Sequence, residues 1–256
     1  MVEISGNEES NRPGGRLPWF IDVFLYPTSR VGLGMLGLFV LVPFLLSLAV
    51  WGFALLINGL GGDLAFLIGV LAKEVVSGIN AIVTLYMFWY VGLCIRESAE
   101  GNYRAPNSLA SDSDEIWGMV EQTLLIAGTT AVCLLPGIAY YLVQNTVDGR
   151  FWLLLAGGGF FLPMALLSVV MQDGFWGLNP LRIMLSILRA FPRYLFVVPV
   201  FYAPLAIIAC FVIYLGQTDN MFISLVFRAV YVYLLIVAAH VLGRFFYRNE
   251  ERLDWF

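Results

Sequence analysis

The sequence predicts an all-α protein: a polytopic transmembrane helical bundle of about six spans plus short interfacial amphipathic helices. Composition is the first reason. Of 256 residues, 60% are hydrophobic and 12% charged, against about 25% charged in soluble domains, and mean hydropathy is +0.84. The second is that the apolar residues fall in blocks of about 20 or more, enough to cross about 30 Å of hydrocarbon, separated by short polar or Gly-rich turns. A third is the stretch 151–193, where an apolar block is followed by a turn and then by a helix too polar on one side to span.

Residues 1–16 are polar and contain Pro and Gly, too little apolar surface to fold alone, so a disordered cytoplasmic tail is expected ahead of one integral membrane domain over 17–256. Residues 18–27, LPWFIDVFLYP with Leu17, put Trp19, Phe20, Val23 and Phe24 on one helical face between Pro18 and Pro27. Ten residues cannot span, and Trp and Tyr favour the headgroup level, so an interfacial helix is predicted there. The first span, 31–57, contains Gly32, Gly34, Gly37 and Pro43, which membrane helices tolerate where neighbours re-satisfy the backbone. A tight turn follows at Asn58 to Asp63. The next apolar block, 64–95, would be about 48 Å long as a single helix. Lys73 and Glu74 divide it, so a short surface segment over 64–72 and a second span over 75–95 are predicted.

The longest polar stretch, 96–122, ends with Asp112 and Glu115 at capping-box spacing, which starts a helix. Its first turns are amphipathic, with Ile116, Trp117, Met119, Val120 and Leu124 on one side, and it becomes a third span over 123–143. The turn 144–150 leads into a fourth, 151–171, carrying Gly157, Gly158, Gly159 and Pro163; small residues that admit close helix packing account for the glycines. Gln172, Asp173 and Gly174 then turn the chain. Asn179 as N-cap and Pro180 at the first helical position open an amphipathic helix, 179–191, ended by Pro192. Arg182, Ser186 and Arg189 form a narrow stripe opposite Leu181, Met184, Ile187, Leu188 and Phe191, the pattern of a helix lying in the membrane surface. Arg182, Arg189 and Arg193 are therefore candidate contacts to lipid headgroups, anionic ones in particular. Spans 194–215, kinked at Pro199 and Pro204, and 221–246 complete the bundle.

Alternating six spans puts Arg12, Arg16, Arg30, Arg96, Arg104, Arg182, Arg189, Arg193, Arg244, Arg248 and Arg252 on one side. Lys73, Arg150 and Arg228 fall on the other, and together these are the 14 basic residues. The positive-inside rule then places both termini in the cytoplasm of a cell whose inner (plasma) membrane holds the protein. Arg228, seven residues into the last span, and Glu74 fall near the same outer surface, so an intramembrane ion pair between them is expected.

The residues argue against an enzyme. There is no HExxH, no set of carboxylates at helical spacing, no Gly-rich phosphate loop, and a single histidine, His240, read as an interfacial or hydrogen-bonded side chain. Cys94, Cys133 and Cys210 have neither CxxC nor Cys/His spacing and read as buried hydrophobes. Hence no catalytic residue, no metal and no cofactor are expected, and no nucleic acid partner. The segments PMALLSVV, DGFWGLNPLR and HVLGRFFYRNEERLDW, with the linker IRESAEGNYRAP, resemble a family of small multi-pass bacterial and archaeal membrane proteins built on a domain of unknown function. The resemblance covers about 90–255 and implies a fold type and no activity. The expected role is a non-enzymatic integral membrane protein organising lipids or partners, whether other proteins or copies of itself, at the cytoplasmic face. The alternative is a small-solute channel or transporter, against which the absence of mid-depth acids counts.

Overall fold

A computed structural model describes residues 19–58, 63–102, 104–106, 113–215, 221–253 and 255. Among them are eight α-helices: α1 (Trp19–Leu25), α2 (Arg30–Asn58), α3 (Asp63–Ala99), α4 (Ser113–Gln144), α5 (Gly149–Gln172), α6 (Pro180–Arg189), α7 (Phe191–Leu215) and α8 (Met221–Leu253). Two 3-10 turns follow α1 and α5, and no strand occurs among the described residues. The tail 1–16, the turns 59–62 and 216–220, and Asp112 of the expected capping box lie outside them. In the all-α bundle α4 pairs mainly with α5, α3 with α8 and α7 with α8. Among the described residues α2, α3, α4, α5 and α8 are long and apolar enough to cross a membrane, and α6 with the first part of α7 forms a sixth candidate bent by 107°.

One boundary differs from expectation. Instead of a surface segment over 64–72 and a span over 75–95, α3 runs unbroken for 37 residues, about 55 Å. Lys73 and Glu74 are good helix formers that keep every backbone N–H, and no proline interrupts the stretch, so the charges mark a depth without breaking the helix. The excess over the hydrocarbon thickness is taken up by tilt or by projection past it. A smaller shift concerns Pro192, which lies in the first turn of α7 and does not end α6; α6 is already capped at Ala190, whose N–H donates to the Ser186 carbonyl.

Other signals act where they were read. The Asn179 side chain accepts from the Leu181 N–H at 3.1 Å, with Pro180 at the first helical position. At the α4–α5 turn, Asn145 adopts φ 48° and its N–H bonds the Tyr141 carbonyl at 2.8 Å. The Asp148 carboxylate then accepts from the N–H groups of Arg150 and Phe151, both at 3.0 Å, and from the Tyr140 hydroxyl at 2.8 Å. Gly158 is where α5 meets α4: a Cβ there would collide with the Cys133 carbonyl. Gly243 plays the same part between α8 and α3, against the Ile95 carbonyl and Ser98.

The core is concentrated at one end of the bundle. The stretch Leu162–Val170 of α5 is wholly buried, as are Tyr90, Cys94 and Ile95 of α3 and Val232, Ile236 and Leu242 of α8. At the other end Leu55, Leu56, Phe66, Leu67, Leu142, Val143 and Leu153 are exposed, which lipid tails cover without cost. Polar side chains turn inward: Gln122 and Thr123 are buried while Trp117 and Leu124, on the apolar side of the same helix, face out.

Prolines lie inside several helices: Pro43 in α2, Pro136 in α4, Pro163 in α5, and Pro199 and Pro204 in α7. Each removes the N–H that would bond the carbonyl four residues earlier, and in hydrocarbon an unpaired carbonyl is costly. For Pro163 that carbonyl is Gly159, and the Tyr202 hydroxyl of α7 donates to it. Beside it the Tyr194 hydroxyl donates to the Phe160 carbonyl. For Pro43 the orphan is Phe39, treated below.

Two outcomes follow. Tyr202→Phe should lower stability by roughly 1 kcal/mol in detergent melting, and by clearly less in a Pro163→Ala background, where an N–H returns to Gly159; equal losses in both backgrounds would contradict the assignment. The hydrogen bonds to Asp148, foremost that from the Phe151 N–H, hold its carboxyl below the ordinary aspartate value. A depressed folded value means its stabilisation is complete above the unfolded value and lost as pH falls through the folded one. Asp148→Asn, which keeps an acceptor oxygen, should flatten the acid limb of the melting temperature against pH while leaving the neutral-pH value little changed.

Candidate functional site

The polar chemistry gathers at the well-packed end. Arg96, in the last turn of α3, is its hub. Its Nε donates to the Val170 carbonyl of α5 at 3.2 Å, one terminal N–H group reaches the Gln122 Oε1 of α4 at 3.1 Å, and it pairs with Asp173. Asp173 sits at the end of α5 with φ 49°, where the chain leaves the helix and the last carbonyls lack helical partners. One guanidinium thus joins three helices and caps one of them. Arg96 and Gln122 bracket the polar stretch 96–122, so its two ends are held together.

α6 presents its polar stripe inward. Arg182 donates to the Gln172 Oε1 at 3.1 Å and to the Trp255 carbonyl. The Trp255 indole N–H donates to the Ser186 hydroxyl at 2.8 Å, which in turn donates to the Arg182 carbonyl at 2.8 Å. Arg189 reaches the Leu253 carbonyl at 3.5 Å, the long limit for a hydrogen bond. Trp255, beyond α8, therefore lies under α6, buried against Phe246. Leu181, Met184, Leu185 and Leu188 point outward. The expectation that Arg182 meets lipid headgroups is accordingly corrected: its guanidinium is committed to protein acceptors. Arg189 also contacts the α8 end but is exposed.

Arg193, near the start of α7, donates to the Asn249 Oδ1 at 2.7 Å and to the Arg248 carbonyl at 3.3 Å. Arg244 donates to the Gly101 carbonyl at 3.4 Å and lies over the Tyr247 ring at 5.0 Å. Between α1, α7 and α8 runs an open groove of about 480 Å³. Arg193 of α7 and Arg244 and Arg248 of α8 line it together with Phe196, Val197 and Val200 of α7 and Val241 and Phe245 of α8.

The expected Glu74–Arg228 pair does not form. Arg228 is half-buried, and its Nε donates to the Phe39 carbonyl at 3.0 Å, the acceptor left open by Pro43 four residues on. Glu74 is on the exposed surface of α3. The open carbonyl is the acceptor that the packing of α2 against α8 brings to Arg228.

His240 is buried, bonded to the Ser98 hydroxyl at 2.7 Å and stacked on Tyr26 with ring centroids 3.9 Å apart and planes at 14°. It fastens α8 to α3 and to the turn after α1, the hydrogen-bonded reading of the single histidine. Burial pushes the Tyr26 phenol above its ordinary value, so it stays protonated. Cys94 and Cys133 are free thiols, Cys94 buried; the Cys210 side chain lies outside the described residues.

Fold and site together define a class: an all-α, multi-pass membrane protein with an arginine-rich, tightly packed end. No protein-family model, curated protein or solved structure matches the chain.

Trp255, Gln122 and Tyr202 are the partners that sequence reasoning missed. For Tyr202 a signal existed, since Pro163 announces an open carbonyl at Gly159 and a donor at that depth on another helix. Replacing Arg96 with Met should cost about 2 to 3 kcal/mol, the scale of charge-assisted hydrogen bonds. Arg96→Lys should recover only part of this, because a single ammonium cannot reach three acceptors set in a fork; full recovery in thermal melts would show that charge alone is needed.

Proposed function

We propose that this is a non-enzymatic integral membrane protein of the inner (plasma) membrane, with both termini cytoplasmic, that organises lipids, and through them protein partners, at the cytoplasmic face. The observation that carries the reading is the gathering of arginines from α6, α7 and α8 at one end of the bundle, beside an outward apolar face of α6. Basic residues favour the cytoplasmic side, and an anionic leaflet attracts them by about 1 kcal/mol each. With Leu181, Met184, Leu185 and Leu188 outward, α6 has the form of a helix lying at the boundary between tails and headgroups. Its arginines hold the α8 end in register, and Arg193, Arg244 and Arg248 supply the positive field. The family resemblance of residues 90–255 fits a fold shared among small multi-pass proteins and adds no activity.

The test is lipid retention. Protein extracted from its membrane in polymer-bounded discs should carry anionic phospholipid above its bulk fraction, and single cysteines in the 144–150 turn should label from outside the cell. Discs with bulk lipid composition, or labelling of that turn only after permeabilisation, would overturn the reading.

A further inference from the structure

We infer that the groove between α1, α7 and α8 is a binding site for one phospholipid with an anionic headgroup, its phosphate held by Arg193, Arg244 and Arg248 and an acyl chain laid along Phe196, Val197 and Val200. This deepens the proposed function and rests on it. Three features argue for an amphiphile of that charge. The volume of about 480 Å³ lies within the range of small-molecule sites, about 300 to 1,000 Å³. Along α7 the lining passes from Arg193, which stands beside Asn249 and the Arg248 carbonyl, to Val200 seven residues further, about 10 Å along the helix. Three arginines are among its described lining residues, and an anionic headgroup is the chemistry that complements them.

The wall is also built to stay open to a chain. Val197, Val241 and Phe245 are buried and form its floor, while Phe196 is 77% exposed and stands at its edge. Arg193 is held by the Asn249 amide oxygen and by a backbone carbonyl, neither of which neutralises its charge. Tyr247, under Arg244, supports the second guanidinium by a cation–π contact. The phosphodiester of such a headgroup has two non-bridging oxygens to offer to guanidinium donors on two helices. A free phosphate would use only the arginines and leave the apolar lining idle, which is why the site is assigned to a lipid.

Native mass spectrometry of the detergent-solubilised full chain tests this with phosphatidylglycerol and phosphatidylcholine of matched chains. One phosphatidylglycerol should remain bound under conditions that strip phosphatidylcholine. Arg248→Gln, on an exposed side chain, should weaken its retention roughly five-fold, the value of one basic residue at an anionic headgroup. Val200→Trp, which fills the apolar length and leaves the arginines in place, should abolish the tight lipid. Millimolar glycerol phosphate, the headgroup without chains, should not displace it. Equal retention of the two lipids, indifference to both substitutions in folded protein, or displacement by glycerol phosphate would each overturn the groove. Because Val200→Trp leaves the surface arginines alone, general enrichment of anionic lipid in discs should survive it; loss of that enrichment in the wild type would instead refute the broader function.

Discussion

Backbone carbonyls that a helix cannot satisfy for itself govern this structure. In water an open carbonyl is solvated; within hydrocarbon it must find a protein donor. The chain creates such acceptors by placing proline inside helices and by ending α5 and α8 within the packed end of the bundle. Side chains from other helices answer four of these acceptors: Arg228 at Phe39, Tyr202 at Gly159, Arg96 at Val170, Arg182 at Trp255. Each of these contacts fixes the depth and rotation of two helices at once. Apolar contact alone cannot do this, because lipid tails compete with a leucine on equal terms.

The same constraint explains the distribution of packing. Donors are concentrated where α3, α5, α6 and α8 converge, and there the core is dense. Toward the other end apolar side chains face outward and helices are held by close approach, as at Gly158 against Cys133. Such a bundle has one end that is specified and another that adapts to the bilayer around it, which suits a protein whose proposed chemistry is confined to the specified end.

Local signals were legible in the sequence because they depend on neighbours a few residues away. Asn179 before Pro180, the turn at Asp173 and Gly174, and the apolar lengths of α2, α4, α5 and α8 all needed nothing beyond the chain itself. The stripe of Arg182, Ser186 and Arg189 was also visible, but a helical wheel says which residues share a face and not what that face meets. Trp255, 69 residues beyond Ser186, decided it. Charge along the chain is a weaker guide at two places. At Lys73 and Glu74 it does not break the helix, because no backbone hydrogen bond is lost there, and at Arg228 the orphan carbonyl of Phe39, not an opposite charge, is the acceptor.

The fold-back of Trp255 beneath α6 also orders events in time. The acceptor of Arg182 lies 73 residues later in the chain, so at synthesis rates of about 5 to 20 residues per second it emerges about 4 to 15 s after its partner. Throughout that interval Arg182 has the Gln172 side chain, ten residues earlier, within its own neighbourhood but not yet the Trp255 carbonyl. The junction between α6 and the α8 end is thus completed only by the last residues of the described chain, which makes it the final part of the packed end to be synthesised.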